Sequence, residues 1–340
     1  MERAVLVTGG AGFIGSHTAY LFAQLGIPVI ILDDLRHGYE VDFPWARVFR
    51  GDYSDAVLLK QIFTKYEIEL VVHCAASIEV GESEKNPREY YDNNVTKTIK
   101  LLDTMLAHGV KQLVFSSSCA VYGDPVTLPI TEDHQRNPVS VYGNNKLCIE
   151  LVLEDYARVY GLQFVALRYF NAAGGIPHVV PGERHNPESH LIPLLLRAMH
   201  AGKTFALFGD DYPTPDGSCV RDFVHVVDIA DAHVKAYRYL QAGRTSGFFN
   251  LGTGKGYSVK QIIATAEQIS NMKAVVEVLP RRLGDAAQLV ADATRARTLL
   301  EWVPQHSDIV TLVTSALAWE QKTRIGAMRS KTRMSVASRT

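Results

Sequence analysis

The run Val5-Leu6-Val7 leading into Thr8-Gly9-Gly10-Ala11-Gly12-Phe13-Ile14-Gly15 constrains this chain more than any other stretch. A short segment of branched residues meets four glycines, and a helix-length segment follows at about 14–25. Glycines there permit a tight turn, close approach of the backbone to a bound group, and close packing of helix on strand. The helix N-terminus then offers unpaired N–H groups and the positive end of its dipole, which suits a pyrophosphate. Both G-x-G-x-x-G from Gly10 and G-x-x-G-x-x-G from Gly9 fit. An ordinary tight turn is the competing reading, and the flanking strand and helix weigh against it.

The rest of the first half repeats the alternation. Val29-Ile30-Ile31-Leu32, Leu70-Val71-Val72, Leu113-Val114-Phe115 and Phe164-Val165-Ala166-Leu167 read as buried parallel strands. Between them, 55–64, 88–107 and 142–160 read as helices. The pattern predicts an α/β fold, a doubly wound parallel sheet over residues 1–170. Residues 171–190 hold three prolines, three glycines and three histidines, and suggest a loop leaving the sheet. A smaller α/β, substrate-facing domain is expected over 171–320, with about 221–241 rejoining the first sheet. The last twenty residues carry six Lys/Arg and no acid, which predicts a disordered basic tail over 321–340.

That tail alters the meaning of the charge balance. The formal net charge is -1; with +6 in the tail, residues 1–320 carry -7. An acidic body argues against wrapping nucleic acid. No apolar run approaches the roughly 18–20 residues of a membrane span. Cys74, Cys119, Cys148 and Cys219 form no C-x-x-C pair, so no disulfide framework is expected, and the chain reads as cytoplasmic.

Two acids follow the glycine loop. Asp33 ends the second strand, 18 residues beyond Gly15, where a carboxylate accepts from ribose hydroxyls and repels a 2′-phosphate; this favours NAD, although Arg36 stands close by. Asp52 either accepts from the adenine amino group or caps the next helix. Further on, Tyr142 and Lys146 stand at i and i+4 on one helix face. A phenol acting as base at neutral pH must lose ~3 pKa units from its reference of about 10, worth ~4 kcal/mol. One positive charge a few ångströms away, at an effective dielectric near 20, supplies roughly that amount. Ser118, at the carboxyl edge of the preceding strand, could bond the same substrate oxygen.

The glycine loop, Phe115-Ser116-Ser117-Ser118, Val121-Tyr122-Gly123, the Tyr142/Lys146 pair and Arg168-Tyr169-Phe170-Asn171 resemble the extended short-chain dehydrogenase/reductases, which have a Rossmann sheet. Gly81-Glu82-Ser83, Phe208-Gly209-Asp210, Val220-Arg221-Asp222-Phe223, Asn250-Leu251-Gly252 and Pro280 to Asp285 are similar to the members that epimerise UDP-sugars at C4. The resemblance implies 4-epimerisation of UDP-glucose and UDP-galactose through a 4-keto intermediate, with tightly held NAD transiently reduced. Tyr142 would take the proton from the 4-hydroxyl, assisted by Ser118, and Lys146 would meet the nicotinamide ribose. Gly9, Gly12, Phe13, Ile14, Gly15, Asp33, Asp52, Asn94 and Tyr169 would line the dinucleotide. Asn171, His190, Arg221 and Arg282 would meet the diphosphate, Phe208 the uracil and Asp285 the uridine ribose. From the residues alone, Arg221 and Arg282 read equally as ion pairs with Asp222 or Asp285.

Some positions depart from the family pattern. Cys119 and Ala120 replace the Asp-Glu pair of the dehydratases, which disfavours elimination. Ile78 stands for a common lysine and His190 for a common asparagine. Leu289, at the position limiting the sugar 2-substituent, is intermediate in size. Epimerisation of another UDP-sugar (an N-acetylhexosamine, a pentose or a uronate) is the alternative, followed by a non-catalytic NAD sensor, which the surviving Ser118, Tyr142 and Lys146 disfavour. His178, His185 and His190 share one loop without a recognised zinc spacing, so no metal is expected. Helices 88–107 and 142–160 carry apolar stripes; the resemblance implies that they form a four-helix bundle across a homodimer.

Overall fold

A computed structural model of the chain describes residues 1–38, 42–176, 180–185, 187–282 and 284–337, with side chains described to 323. Six strands of the first half, β1 (Glu2–Thr8), β2 (Val29–Asp33), β3 (Arg47–Arg50), β4 (Tyr66–His73), β5 (Gln112–Ser118) and β6 (Gln163–Tyr169), lie parallel in the order β6-β5-β4-β1-β2-β3. Their side chains alternate between the two faces, as the pleat requires. Val5 and Val7 enter one core with Val29, Ile31 and Val72. Ala4 and Leu6 enter the other, with Ile30, Leu32 and Val71. Each fully buried Val, Leu or Ile contributes about 1.5–3 kcal/mol, so the sheet's position is strongly specified. Only β3 was not legible as a strand, because Arg47-Val48-Phe49-Arg50 is a half-exposed edge.

After β6 the chain leaves this sheet through β7 (Asn171–Ala173), β8 (Thr204–Phe208), β9 (Val220–Arg221) and β10 (Phe223–His225). It returns as β11 (Gly247–Leu251), parallel to β6, with Leu251 opposite Tyr169. The strand that rejoins the sheet is therefore 247–251, beyond the expected 221–241. Phe223–His225 instead pairs with β7. Of the expected 221–241 segment, it is the helix, Val226–Gln241, that packs on the first half, against Phe13–Gln24. The last strands are β12 (Tyr257–Ser258), β13 (Val275–Leu279) and β14 (Gln288–Leu289). Strand β9 sits between β12 and β14, and β13 pairs with β8.

The helices on the first half are α1 (Phe13–Gln24), α2 (Ala56–Lys65), α3 (Val80–Lys85), α4 (Pro87–Tyr90), α5 (Lys97–Ala107) and α6 (Val141–Tyr160). The expected helix 88–107 is thus α4 and α5 joined by a π-helical turn at Tyr91–Thr96. Ser140 caps α6 by accepting from the Gly143 N–H, and Gly161 ends it in the left-handed conformation. Then follow α7 (Leu191–Ala201), α8 (Val226–Gln241), α9 (Val259–Ser270), α10 (Thr294–Leu299) and α11 (Ile309–Ala337). A third core joins α7, α9 and α11 through Leu195, Ile262 and Leu312.

Helix α11 continues to Ala337, into the segment expected as a basic tail. Residues 338–340 lie outside the described ones. No helix among the described residues is long and apolar enough to cross a membrane.

Candidate active site

Gly9 adopts φ +68°, and a Cβ there would lie 2.6 Å from the Ala75 N. A Cβ on Gly15 would lie 2.1 Å from the Gly9 carbonyl oxygen, so this glycine lets α1 press against the turn. Gly12, the first residue before α1, has no comparable crowding. No side chain caps the α1 N-terminus and its first turn holds no acid. The sequence thus builds a backbone cradle whose N–H groups and dipole favour an anion. Phe13 and Ile14 open the helix there, both half-buried.

Asp33 ends β2 beside this cradle and is held by it. Its carboxylate accepts from the Ala11 N–H at 2.9 Å and the Leu35 N–H at 2.8 Å. Burial raises its pKa, opposed by those two N–H groups. Arg36 is turned to Asp34 at 2.5 Å and to the Asn93 side chain at 3.0 Å. Asp52 does not cap α2; Asp55 does, accepting from Val57 and Leu58. Asp52 instead accepts from Ser54 and from Lys97 Nζ at 2.7 Å, which together hold its carboxyl below the usual range against the effect of burial. Asn94 lies deeper, bonding both Ser77 backbone groups and reaching Asn145 at 3.3 Å.

Helix α6 brings Tyr142 and Lys146 to the carboxyl ends of β5 and β6. Helix α3 fixes its start: the Tyr142 N–H donates to Ser83 Oγ at 3.2 Å, and the Val141 N–H to Glu84 at 2.7 Å. Lys146 is buried and donates to the Ser116 carbonyl at 2.7 Å. Its ammonium is 5.7 Å from the centre of the Tyr142 ring. The Ser118 hydroxyl favours the charged form of the Tyr142 phenol, and Tyr169 stands opposite Ser118 across the β5/β6 ladder.

The electrostatics differ from the expectation in one respect. Burial pushes the Tyr142 phenol above its ordinary value, with the Ser118 bond opposing, so Lys146 alone does not depress it. The same burial lowers Lys146 to about 8, against Cys74 and Glu150. Desolvation works against the charged form of both groups and outweighs the attraction of one charge. Burial also raises Cys119 to about 12, so it is no thiolate nucleophile.

The proposed nucleotide end lies on the second half. Phe208 ends β8, and the Arg282 guanidinium is 3.7 Å from its ring centre. Arg221 donates to the Val220 and Ala286 carbonyls and lies 3.4 Å from Asp285. Asp222 points elsewhere, accepting from Thr253, Gly254 and Ala291. Leu289 pairs with Arg221 in the β14/β9 ladder and packs on a small core of Val121, Tyr122, Ile130 and Phe170. Asn171 begins β7, and its N–H donates to the Asp222 carbonyl. His190 precedes α7, where two carboxylates overcome burial and push it up to about 9. These carboxylates, Glu183 and Glu188, also gather His185, a grouping the zinc spacings passed over. His178 lies outside the described residues.

A positioning network was missed altogether. Arg168 donates to both oxygens of Glu150, at 2.8 and 2.7 Å, with both side chains buried. Arg168 also donates to the Tyr122 hydroxyl, which donates to Asn250; Ser117 donates to Glu150 at 2.7 Å. This ties α6 to β5, β6 and β11 beneath Ser118 and Tyr142. The only sequence sign was a carboxylate at position 150 on the same helix as Lys146 and an arginine inside an otherwise apolar strand.

A profile of the NAD dependent epimerase/dehydratase family matches residues 5–252. The UDP-glucose 4-epimerase of Halalkalibacterium halodurans is 47% identical over 320 residues, covering 94% of this chain and 96% of that protein. The structure of UDP-glucose 4-epimerase from Brucella ovis in complex with NAD superposes with a TM-score of 0.90 at 41% identity, covering 93% of this chain and 98% of that one. The Bifidobacterium longum UDP-glucose 4-epimerase, in complex with NAD+ and UDP, gives 0.87 at 37% identity, covering 94% and 98%.

Proposed function

From the premise that this chain belongs to the NAD dependent epimerase/dehydratase family, we propose that it interconverts UDP-glucose and UDP-galactose by epimerisation at C4, with NAD as its cofactor. One observation carries the assignment of roles: Ser118, Tyr142 and Lys146 converge at the strand ends beside an uncapped glycine cradle. The cradle fits the dinucleotide, because the glycine turn leaves no room for a Cβ at Gly9 or Gly15 and the α1 N–H groups are left for a pyrophosphate. Gly9, Gly12, Phe13, Ile14 and Gly15 hold the diphosphate. Asp33 and Asp52 hold the adenosine, and Asn94, Lys146 and Tyr169 the nicotinamide end. Bound NAD supplies a reversible two-electron acceptor and, while oxidised, a positive charge.

The chain's own part is proton handling and binding. Tyr142 stays a neutral phenol while its site holds too little positive charge, since burial raises its pKa. It takes the proton of the sugar 4-hydroxyl only when further positive charge adds to Lys146, which couples proton loss to the oxidation of C4. Ser118 bonds that same oxygen and keeps it in place. After the 4-ketose has turned about its link to the diphosphate, Tyr142 returns the proton to the oxygen. Phe208 takes the uracil, Asp285 the uridine ribose, and Arg221, Arg282, Asn171 and His190 hold the diphosphate. Guanidinium forks suit this because they bind phosphate oxygens bidentately. Leu289 faces the sugar 2-position and leaves UDP-glucose and UDP-galactose the preferred pair.

Two further readings have support. Helix α6 exposes Leu151, Val159 and Tyr160, which supports a homodimer through α5 and α6. All four cysteines are free thiols, which supports a cytoplasmic location. The domain reading has Rossmann residues 1–170, rejoined by α8 and β11, and UDP-sugar-binding residues in the rest of 171–320.

Purified protein incubated with a panel of UDP-sugars, with products identified and bound NAD assayed after denaturation, tests the activity. UDP-galactose turnover with one NAD per chain is expected. Tyr142→Phe should keep the NAD and lose turnover by about 10³-fold. Full turnover by Tyr142→Phe, or rapid turnover of an N-acetylhexosamine, pentose or uronate beside little of UDP-galactose, overturns the proposal.

A further inference from the structure

The loop before α7 brings two carboxylates and two imidazoles to one point. Ligand-capable atoms of Glu183, His185, Glu188 and His190 all lie within 4.8 Å of one another. His190 Nδ1 is 3.2 Å from Glu183 Oε1 and 3.3 Å from Glu188 Oε1. His185 Nδ1 is 3.3 Å from Glu188 Oε1 and 4.0 Å from Glu183 Oε1. For a tetrahedral zinc with bonds of about 2.0–2.1 Å, the edges between donor atoms are ~3.3–3.4 Å. Three of the four measured separations fall near that length.

Hydrogen bonding alone accounts for this arrangement poorly. Glu188 Oε1 already accepts from the Ser189 and His190 N–H groups at 3.1 and 3.2 Å. Two imidazole nitrogens converge on the same oxygen, both at 3.3 Å, longer than the roughly 2.7–2.9 Å of a charge-assisted bond. A single Nδ1 proton on His190 cannot serve Glu183 and Glu188 together. Charge points the same way. Glu183, Glu188 and Glu320 are nearly shielded from solvent, with side chains 7%, 4% and 6% exposed. Arg197 is the arginine that reaches them, at 3.1 Å from Glu188 and 2.9 Å from Glu320. Three carboxylates against one guanidinium leave an excess of negative charge, which His190, pushed up to about 9, offsets only in part.

We propose that Glu183, His185, Glu188 and His190 form a structural divalent-metal site, whose two-nitrogen, two-oxygen donor set suits Zn2+. Four protein ligands close the coordination sphere, so the ion activates no water. The Trp319 indole N–H donates to the Glu183 carbonyl at 3.0 Å, and Arg197 joins Glu188 to Glu320. The ion therefore clamps the loop to α11, and holding it at Nδ1 leaves Nε2 of His190 for the diphosphate.

The experiment is zinc binding by the NAD-loaded protein, stripped with chelator and titrated with Zn2+ in competition with a chromogenic chelator. One Zn2+ per chain is expected, and a rise in melting temperature on its return. His185→Ala, checked for unchanged NAD content, should bind Zn2+ at least ~100-fold more weakly and melt at a temperature indifferent to zinc. Co2+ in the wild type should give the intense visible absorption of a tetrahedral N/O site, absent in the variant. Should His185→Ala misfold, the wild-type stoichiometry and the Co2+ spectrum decide. Zinc binding below one ion per chain, an octahedral Co2+ spectrum, or equal affinity in a folded His185→Ala protein overturns the proposal.

Discussion

Replacing Glu150 by leucine removes a carboxylate of zero exposure and leaves the buried Arg168 with only the Tyr122 hydroxyl and the Glu132 carbonyl. Arg136, whose NH1 lies 3.6 Å from Glu150 and has no hydrogen-bond partner, loses that neighbour as well. Breaking a buried pair by removing one partner costs about 3–5 kcal/mol, mostly from the stranded charge. With an unfolding entropy of about 2.1 cal/mol/K per residue, a chain of this length gives ~0.7 kcal/mol/K. A 4 kcal/mol loss then lowers the melting temperature by roughly 6 °C. Calorimetry of Glu150→Leu, Arg168→Leu and the double variant measures this. Each single variant should fall by that amount, and the double variant should recover most of it, since apolar replacement of a whole pair is often neutral. Turnover should fall in Glu150→Leu too, because Ser117 loses its acceptor next to Ser118. A single variant within about 1 kcal/mol of the parent, or a double variant as unstable as the sum of the singles, would refute the reasoning.

Three other outcomes follow from the site. Gly15→Ala places a methyl 2.1 Å from the Gly9 carbonyl and should abolish NAD retention, measured by absorbance after denaturation. Lys146→Met should be inactive, yet stabilise the NAD-free protein at pH 7 by up to about 3 kcal/mol. The folded Lys146 titrates near 8 against an ordinary value of 10.5, so below pH 8 its charge is buried at a constant cost of about 3 kcal/mol. Between 8 and 10.5 the unfolded chain binds the extra proton, parent stability rises with pH, and the variant's advantage in urea denaturation should shrink to nothing. Leu289→Tyr should lower any turnover of UDP-N-acetylhexosamines more than that of UDP-galactose, read as the ratio of kcat/KM values.

The parallel sheet was legible because Val5, Ile31, Val72 and Leu167 belong to unbroken branched runs between helices, a pattern that admits few other solutions. The glycine turn was legible because Gly9 and Gly15 stand where any side chain collides. Long-range polar partners were not. Nothing local says that Asp55 rather than Asp52 caps α2, that Arg168 seeks Glu150, or that Glu183 meets two histidines; each depends on distances set by the whole sheet. Solvent exclusion at Tyr142 is likewise a tertiary property, and it reversed the direction expected for that phenol. Strand β11 was missed because Gly247-Phe248-Phe249-Asn250-Leu251 carries an asparagine, which is buried only because Tyr122, Ile130 and Glu132 satisfy it.

The late return of β11 has a consequence during synthesis. Strand β6 leaves the ribosome with one side paired to β5 and the other bare, and its partner Gly247–Leu251 comes about 80 residues afterwards. At roughly 5–20 residues per second, the nascent chain carries an open strand edge for ~4–16 s. An open edge of that kind is a template for pairing with a neighbouring chain. Slowed translation between 170 and 250 should therefore lower soluble yield, whereas the same pause placed after 251 should not.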